Sequence, residues 1–339
     1  MQVNSISRLE QMFKRGAVMA ITDNLRMMVK VCRLYYEENL SQKEISAQMG
    51  ISRPQISRML TFARSKNIVS IKINNPFEDE TNLGRALAER YRLKDALVLD
   101  TRDGSPETFG RMAAEYLDAY ISDGDCVGVM SGQTISRVVW SIGRLERRGL
   151  ECVPLVGGIG SGSVNWHANA IAQRLAECSG GSCYILNAPV IVQSRESRDM
   201  LVREPDIAAV LEKGAKCDAA IVGIGQIDLR STTAQSGALS ARDIERLKAE
   251  GAVASVCTSY LDRQGRALDL ELCERSIGQS LRQLARCRTI ALAIGRSKVA
   301  SIRAALSSGY IDVFITDLET ARATIEEKPE DESVQEETK

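Results

Sequence analysis

Residues 41–63, "SQKEISAQMGISRPQISRMLTFA", constrain this chain more than any other stretch. Ser41 followed three residues later by Glu44 is a capping box, in which hydroxyl and carboxylate each satisfy a backbone amide left open at a helix start. The helix it opens is short, with Ile45 and Met49 facing inward, because Gly50 supplies the left-handed residue that ends it. Ile51 plugs the corner. Ser52 caps the next helix, with Gln55 three residues on and Pro54 in the first turn, where no amide is missed. Ile56, Met59, Leu60 and Ala63 form its buried stripe. Upstream, residues 23–38 read as a helix with Leu25, Met28, Val29, Cys32 and Tyr36 on one apolar face. Two helices joined by a glycine corner, with small Ser46 where they cross, predict a helix-turn-helix in a small all-α domain.

The face of the second helix left for solvent carries Arg53, Gln55, Ser57, Arg58 and Arg64. Arg and Gln reach base edges bidentately, Ser bonds a base or a phosphate, and a helix N-terminus attracts phosphate. Ser41 and Gln42 at one helix start and Ser52 at the other complete the expected DNA-binding set. Charge agrees. The whole chain is balanced, with 44 basic and 44 acidic residues, yet residues 1–76 carry twelve Lys/Arg against five Asp/Glu. A basic front on a neutral chain suits a polyanionic partner for that part alone, here operator double-stranded DNA. "IVSIKI", 68–73, is expected as a β-strand belonging to a wing, although no partner strand is evident. One helix-turn-helix touches too little DNA for specificity, so a homo-oligomer is expected.

The remainder changes pattern after "NNPFEDE" (74–80), which reads as a linker. Short apolar runs follow: "ALVLD" (96–100), "CVGVM" (126–130), "CVPLV" (152–156), "CYIL" (183–186), "AAIVGIG" (219–225), "VASVCTSYL" (253–261), "TIALAIG" (289–295) and "DVFITD" (312–317). Helical segments such as 105–121, 132–148, 167–178, 240–250 and 298–308 lie between them. Continuous apolar strands alternating with helices predict a large α/β domain over 81–325 with a mainly parallel sheet covered on both faces. Residues 1–22 are expected as an extension and 326–339, with seven acids and two lysines, as a disordered acidic tail. No apolar run is long enough to span a bilayer and the front lacks a signal peptide's apolar core, so a cytoplasmic protein is expected. Nine cysteines form no C-x-x-C, and His167 is the one histidine, which leaves little material for a metal site or a histidine triad.

Small residues at the strand ends are the chemically informative part. Ser131, Gly132, Gln133 and Thr134 ("SGQT") precede a helix and offer amides and hydroxyls to an anion, with Lys298 as a cation and Asp262 as an acid for hydroxyls. In an open parallel sheet such loops meet beyond the carboxyl ends of the strands. "GGIGSGS" and "GIGQID" lack the last glycine of G-x-G-x-x-G, and no glycine precedes a Lys-Ser or Lys-Thr pair, which argues against dinucleotide and P-loop sites. No cofactor is expected.

With a helix-turn-helix ahead of these loops, the chain resembles the SorC/DeoR-type sugar-responsive transcriptional regulators of bacteria. The resemblance covers nearly all of 23–325 and rests on "SGQTI", "LVGGIG", "DAAIVGIG", "GAVASVCTSYLDRQGRAL" and "AIGRSKVASIRAALSSGYIDVFITD". It implies a non-enzymatic effector domain similar to the ribose-phosphate isomerase/glucosamine-phosphate deaminase fold, dimers or tetramers, and a phosphorylated sugar or polyol as effector. It also implies that residues 131–134 hold the phosphate with help from Lys298. Asp262, Gly223, Gly225 and Gln226 would then face the hydroxyls, with Gly158 and Asn165 nearby. One departure is Ile294–Gly295, where the family often has two adjacent glycines before the lysine loop. The alternative is a sugar-phosphate isomerase or deaminase fused to a DNA-binding head. It lacks a paired-carboxylate and histidine acid–base set.

Overall fold

The computed structural model describes residues 18–158 and 164–326, and the chain divides into two units at the Pro76/Phe77 bond. Most of the expected extension (1–17) and nearly all of the acidic tail (327–339) lie outside the described residues.

In the first unit, α1 (Val18–Tyr36), α2 (Gln42–Met49) and α3 (Arg53–Ser65) enclose Val31, Cys32, Leu34, Ile45, Ile56, Leu60 and Ala63. The α1 stripe is rotated from the expected one: Val31 and Leu34 are buried, whereas Leu25 and Val29 are 43% and 39% exposed. Apolar residues occur almost all around α1, so its own periodicity does not fix which face is inward; packing on α3 does. The capping box of α2 forms as read: Ser41 N donates to Glu44 Oε2 at 2.8 Å, and Glu44 N donates to Ser41 Oγ at 3.3 Å. Gly50 ends α2 at φ 67°. Ser46 does more than fit a crossing, because its hydroxyl donates to the Ile51 carbonyl at 2.6 Å and ties the corner to the helix before it. Ser52, by contrast, stands at the N-terminus of α3 with no side-chain capping bond.

The expected strand and wing at 68–73 are not formed. The segment leaves α3 through a turn in which the Ile68 and Val69 amides return to the Ala63 carbonyl, and it then runs on without a ladder. A strand needs a hydrogen-bonding neighbour, and the described residues of this unit otherwise form helices and turns.

The second unit begins at once with α4 (Glu78–Tyr91), which takes in the last three residues of the expected linker, 78–80, and leaves 74–77 outside the helix. Its acidic run, Glu78, Asp79 and Glu80, occupies the first turn, where negative charge complements the helix dipole. The chain continues through β1 (Asp95–Leu99), α5 (Pro106–Tyr116), β2 (Cys126–Val129), α6 (Gln133–Ser141), β3 (Glu151–Pro154), α7 (Ala168–Ser179) and β4 (Ser182–Cys183). Then come α8 (Arg195–Leu201), α9 (Pro205–Ala215), β5 (Ala219–Gly223), the short β6 (Gly225–Gln226), α10 (Ala241–Ala249), β7 (Ala254–Val256) and β8 (Ser259–Leu261). It closes with β9 (Arg288–Leu292), α11 (Val299–Ser307), β10 (Val313–Asp317) and α12 (Leu318–Ile325). Seven strands form one sheet in the order β1-β10-β9-β5-β2-β3-β4, every adjacent pair parallel. β2, β3, β5, β9 and β10 are buried along nearly their whole length, as continuous apolar runs require.

One expected strand is really two. Residues 253–261 fold back as the antiparallel pair β7–β8, which joins β6 in a separate three-stranded sheet. The two-residue turn places Cys257 at φ 52°, held by its amide donating to Met130 Sδ at 3.3 Å and by Thr258 Oγ1 donating to the Gln279 carbonyl at 3.0 Å. Such turns favour Asn-Gly or Asp-Gly, and Cys-Thr gives no local sign of one.

The two caps make a matched pair of variants. Ser41→Ala should loosen α2 by about 1 kcal/mol, raising exchange of its amides with deuterated solvent roughly fivefold in the full chain. Ser52→Ala should leave α3 exchange within about twofold.

Candidate functional site

Three neighbouring central strands end on one rim of the parallel sheet. β5 lies between β9 and β2, and the loops after all three open onto one cavity of about 280 Å³. This is a crossover point of the strand order, where parallel sheets leave a crevice. From β2 come Met130, Ser131 and Gly132, leading into α6 with Gln133, Thr134 and Arg137. From β5 come Gly223, Ile224, Gly225 and Gln226. From β9 come Leu292, Ile294 and Lys298. Pro106, Ser255 and the segment Arg230, Ser231, Thr232 and Thr233 complete the walls.

Ser131 and Thr134 are buried at the N-terminus of α6, whose open amides give that end partial positive charge. Gln133 is tied to the chain just beyond residues 231–233, its Nε2 donating to Gln235 Oε1 at 2.9 Å. Gly225 packs closely on the paired strand β7: a Cβ there would lie 2.4 Å from Ser255 Oγ, so that hydroxyl would have to turn away.

The charges around the cavity are unevenly matched. Arg137 pairs with Glu107 at 3.1 Å and Arg230 with Asp228 at 2.9 Å. Lys298, half-buried, makes no ion pair among the described residues. Burial lowers its pKa below the ordinary lysine value; the nearby Arg137 pushes the same way, and Asp228 pushes back. A cation disfavoured by its own surroundings is a group that gains from an incoming anion.

Eight of the eleven expected effector residues thus line one cavity: Ser131, Gly132, Gln133, Thr134, Gly223, Gly225, Gln226 and Lys298. Three do not line it. Gly158 serves the backbone, its amide donating to the Ala188 carbonyl at 2.7 Å and its carbonyl accepting from the Val190 amide at 2.8 Å. Asn165 is exposed, and the loop just before it, 159–163, lies outside the described residues. Asp262 also lies outside the cavity lining. Its Oδ1 accepts the Gln264 and Arg266 amides, each at 2.9 Å, and its Oδ2 accepts Arg266 Nε at 2.7 Å. These three bonds all fall within its own turn after β8. His167 begins α7 and is not part of the lining, whereas Trp166, also outside it, accepts the Gly132 amide on its carbonyl at 3.1 Å. Sequence reasoning missed Arg137, Arg230 and the hydroxyl run 231–233; Arg137 lies one helical turn beyond Thr134, a spacing that was available. Among the described residues no group of His, Cys, Asp and Glu is placed to hold a metal.

On the first unit, Ser52, Arg53, Gln55, Ser57 and Arg58 are all exposed along α3, while Ile56, Leu60 and Ala63 face its core. Arg58 Nε rests on the Pro54 carbonyl at 3.4 Å. Arg64 also braces α3 on α1, since its Nε donates to the Tyr36 hydroxyl at 2.7 Å and its guanidinium lies 5.5 Å from that ring's centre. Ser41 is committed to its cap, and Gln42 is half-buried beside it.

Residues 75–326 match the Sugar-bind family, a sugar-binding domain. The chain is 32% identical over 305 residues to the deoxyribonucleoside regulator of Bacillus subtilis, covering 88% of this chain and 97% of that protein. It is 31% identical over 318 residues to the transcriptional regulator LsrR of Klebsiella pneumoniae, covering 92% and 96%. Among solved structures, the full-length sorbitol operon regulator SorC of Klebsiella pneumoniae superposes with a TM-score of 0.69 at 25% identity, over 90% of this chain and all of that one. A helical head joined to such a body defines a transcriptional regulator with a sugar-binding domain, not an enzyme. The chain belongs to the SorC family of these regulators. No helix among the described residues is long and apolar enough to cross a membrane.

Lys298 gives a two-sided prediction. Lys298→Met should weaken binding of inorganic phosphate about tenfold or more in calorimetric titration, the scale of one charge-assisted hydrogen bond. In the unsubstituted protein that affinity should fall as pH rises through the lowered Lys298 pKa, below the ordinary lysine range. Ligand-free stability should move oppositely. The folded state holds the proton less tightly than the unfolded chain, so the stability penalty is full below the folded pKa and fades towards the unfolded one. Both trends should flatten in Lys298→Met.

Proposed function

We propose that this regulator controls an operon of carbohydrate or polyol breakdown and that its effector is a phosphorylated sugar or polyol held in the cavity around Ser131, Gly132, Gln133, Thr134 and Lys298. The observation that carries the reading is Lys298: an ammonium without a carboxylate, beside the N-terminus of α6. Phosphate supplies the charge this end lacks, and the hydroxyls of the rest of the ligand suit the polar walls at Gln226 and residues 231–233. The names of the relatives point the same way, since they include a sorbitol operon regulator, an erythritol catabolism regulatory protein and a deoxyribonucleoside regulator. We read the body as similar to the ribose-phosphate isomerase/glucosamine-phosphate deaminase fold, with the crevice used for sensing and not for turnover.

On the DNA side, Arg53, Gln55, Ser57 and Arg58 present base- and phosphate-bonding groups on the exposed face of α3, and Ser52 lies at its N-terminus. Ser41 and Gln42 open α2 and would meet the backbone; Arg64 would do so only as far as its bond to Tyr36 allows. The protein would work in the cytoplasm as a dimer or tetramer, so that paired recognition helices reach paired half-sites. Effector binding would favour one of two arrangements of the assembled bodies and so change the separation of the heads.

Gel-shift titration with the operator, at several salt concentrations and with or without candidate sugar phosphates, tests both halves. Arg53→Ala and Arg58→Ala should each weaken specific binding by about 1–3 kcal/mol without changing the melting temperature. If both variants bind the operator as tightly as the parent, α3 is not the recognition helix. DNA binding indifferent to every phosphorylated sugar and polyol would remove the effector assignment.

A further inference from the structure

The last turn of α3 carries a cation that is already held in place. Arg64 Nε donates to the Tyr36 hydroxyl at 2.7 Å, and the guanidinium carbon lies 5.5 Å from the centre of the Tyr36 ring. Tyr36 is itself fixed at the end of α1, with the Tyr35 ring set edge-on to it at 4.9 Å between centres. A guanidinium has five N–H donors, and this bond spends one. The other four sit on Nη1 and Nη2, which make no hydrogen bond or ion pair among the described residues, and Arg64 is exposed. Two residues on, Lys66 lies 5.7 Å from the centre of the exposed Phe62 ring. The end of α3 is thus a pair of cations, each lying over a ring.

We propose that Tyr36 aims Arg64 as a clamp for one phosphate of the DNA backbone, a contact that adds affinity without reading sequence. The proposal rests on the reading of α3 as the recognition helix and goes beyond it. Arg53, Ser57 and Arg64 stand at i, i+4 and i+11, on one flank of the helix. At 1.5 Å of rise per residue Arg64 lies about 16 Å along α3 from Arg53. A recognition helix meets base edges with its N-terminal residues, and the major groove is only about 12 Å wide. The last turn of α3 therefore stands at the rim, where the groups on offer are phosphates. With Nε engaged, the Nη1–Nη2 edge is what remains, and it suits two parallel bonds to phosphate oxygens. A long side chain that is ordered beforehand loses less freedom on binding, so the bond that limits the reach of Arg64 also presets its direction. Tyr36 is a positioning residue whose effect passes through Arg64.

The full-length protein is titrated by fluorescence anisotropy with a duplex it has selected from a random pool and with an unrelated duplex of equal length. Salt is varied, and circular dichroism confirms that each variant is folded at the assay temperature. Tyr36→Phe, which keeps the ring, should weaken binding of both duplexes about fivefold, the scale of ordering one long side chain, and leave their affinity ratio unchanged. Arg64→Ala should also weaken both alike, and should reduce the slope of log affinity against log salt by about 0.9 for each head bound. Adding Tyr36→Phe to Arg64→Ala should cost nothing more. A Tyr36→Phe variant that binds both duplexes like the parent would leave Tyr36 a helix brace and overturn the proposal. An unchanged salt slope in Arg64→Ala, a loss confined to the selected duplex, or a further loss in the double variant would overturn it equally. If Arg53→Ala and Arg58→Ala leave binding of the selected duplex intact, the recognition-helix reading falls, and this proposal with it.

Discussion

An ammonium group kept partly out of water without a carboxylate is an unstable arrangement, and the body of this protein is organised around one. Lys298 is brought to the rim of the parallel sheet by the loop after β9, where the next strands over, β5 and β2, end in small residues. Burial and Arg137 both disfavour its charge, and the one acid that helps, Asp228, is already gripped by Arg230. The neighbouring N-terminus of α6 adds partial charge of the same sign. Among the described residues no carboxylate forms an ion pair with Lys298, and that is the ground on which we propose an anionic effector.

The rest of the cavity follows from how two sheets meet. The parallel sheet supplies the positive end, whereas the antiparallel β6–β7–β8 unit supplies a wall of amide and hydroxyl groups. At Gly225 β6 lies so close to β7 that a methyl group there would make the Ser255 hydroxyl turn away. That approach sets Gln226 on the cavity wall beside Asp228. The head shows the same economy in helical form. Buried Ile45, Ile56 and Leu60 fix how α2 and α3 cross, and Ser46 ties down the corner, so Arg53 and Arg58 are presented by packing on the far side of their helix.

Several features were legible in the residues themselves because they are local. The Ser41–Glu44 box, the Gly50 terminus and the exposed polar face of α3 depend on residues within one or two turns of each other. The buried strands of the parallel sheet were equally plain as apolar runs. The misreadings involve partners distant in sequence or absent. Residues 68–73 have the alternation of a strand but no neighbour to pair with. Residues 253–261 look like one strand, yet Cys257 adopts a positive φ because Met130 and Gln279, far along the chain, stabilise the turn.

Sequence alone indicated a helical head, a body with a mainly parallel sheet, and most of the residues that meet at the cavity, since cap, period and strand-end composition are written in short stretches. Tertiary structure decided which of those residues remain available for a ligand. Asp262 and Lys298 look equally eligible as charged residues in loops after strands, but Asp262 already accepts three hydrogen bonds within its own turn while Lys298 has no ionic partner among the described residues. Hydrogen-bonding capacity is finite, and whether it is already used depends on how the chain folds back on itself.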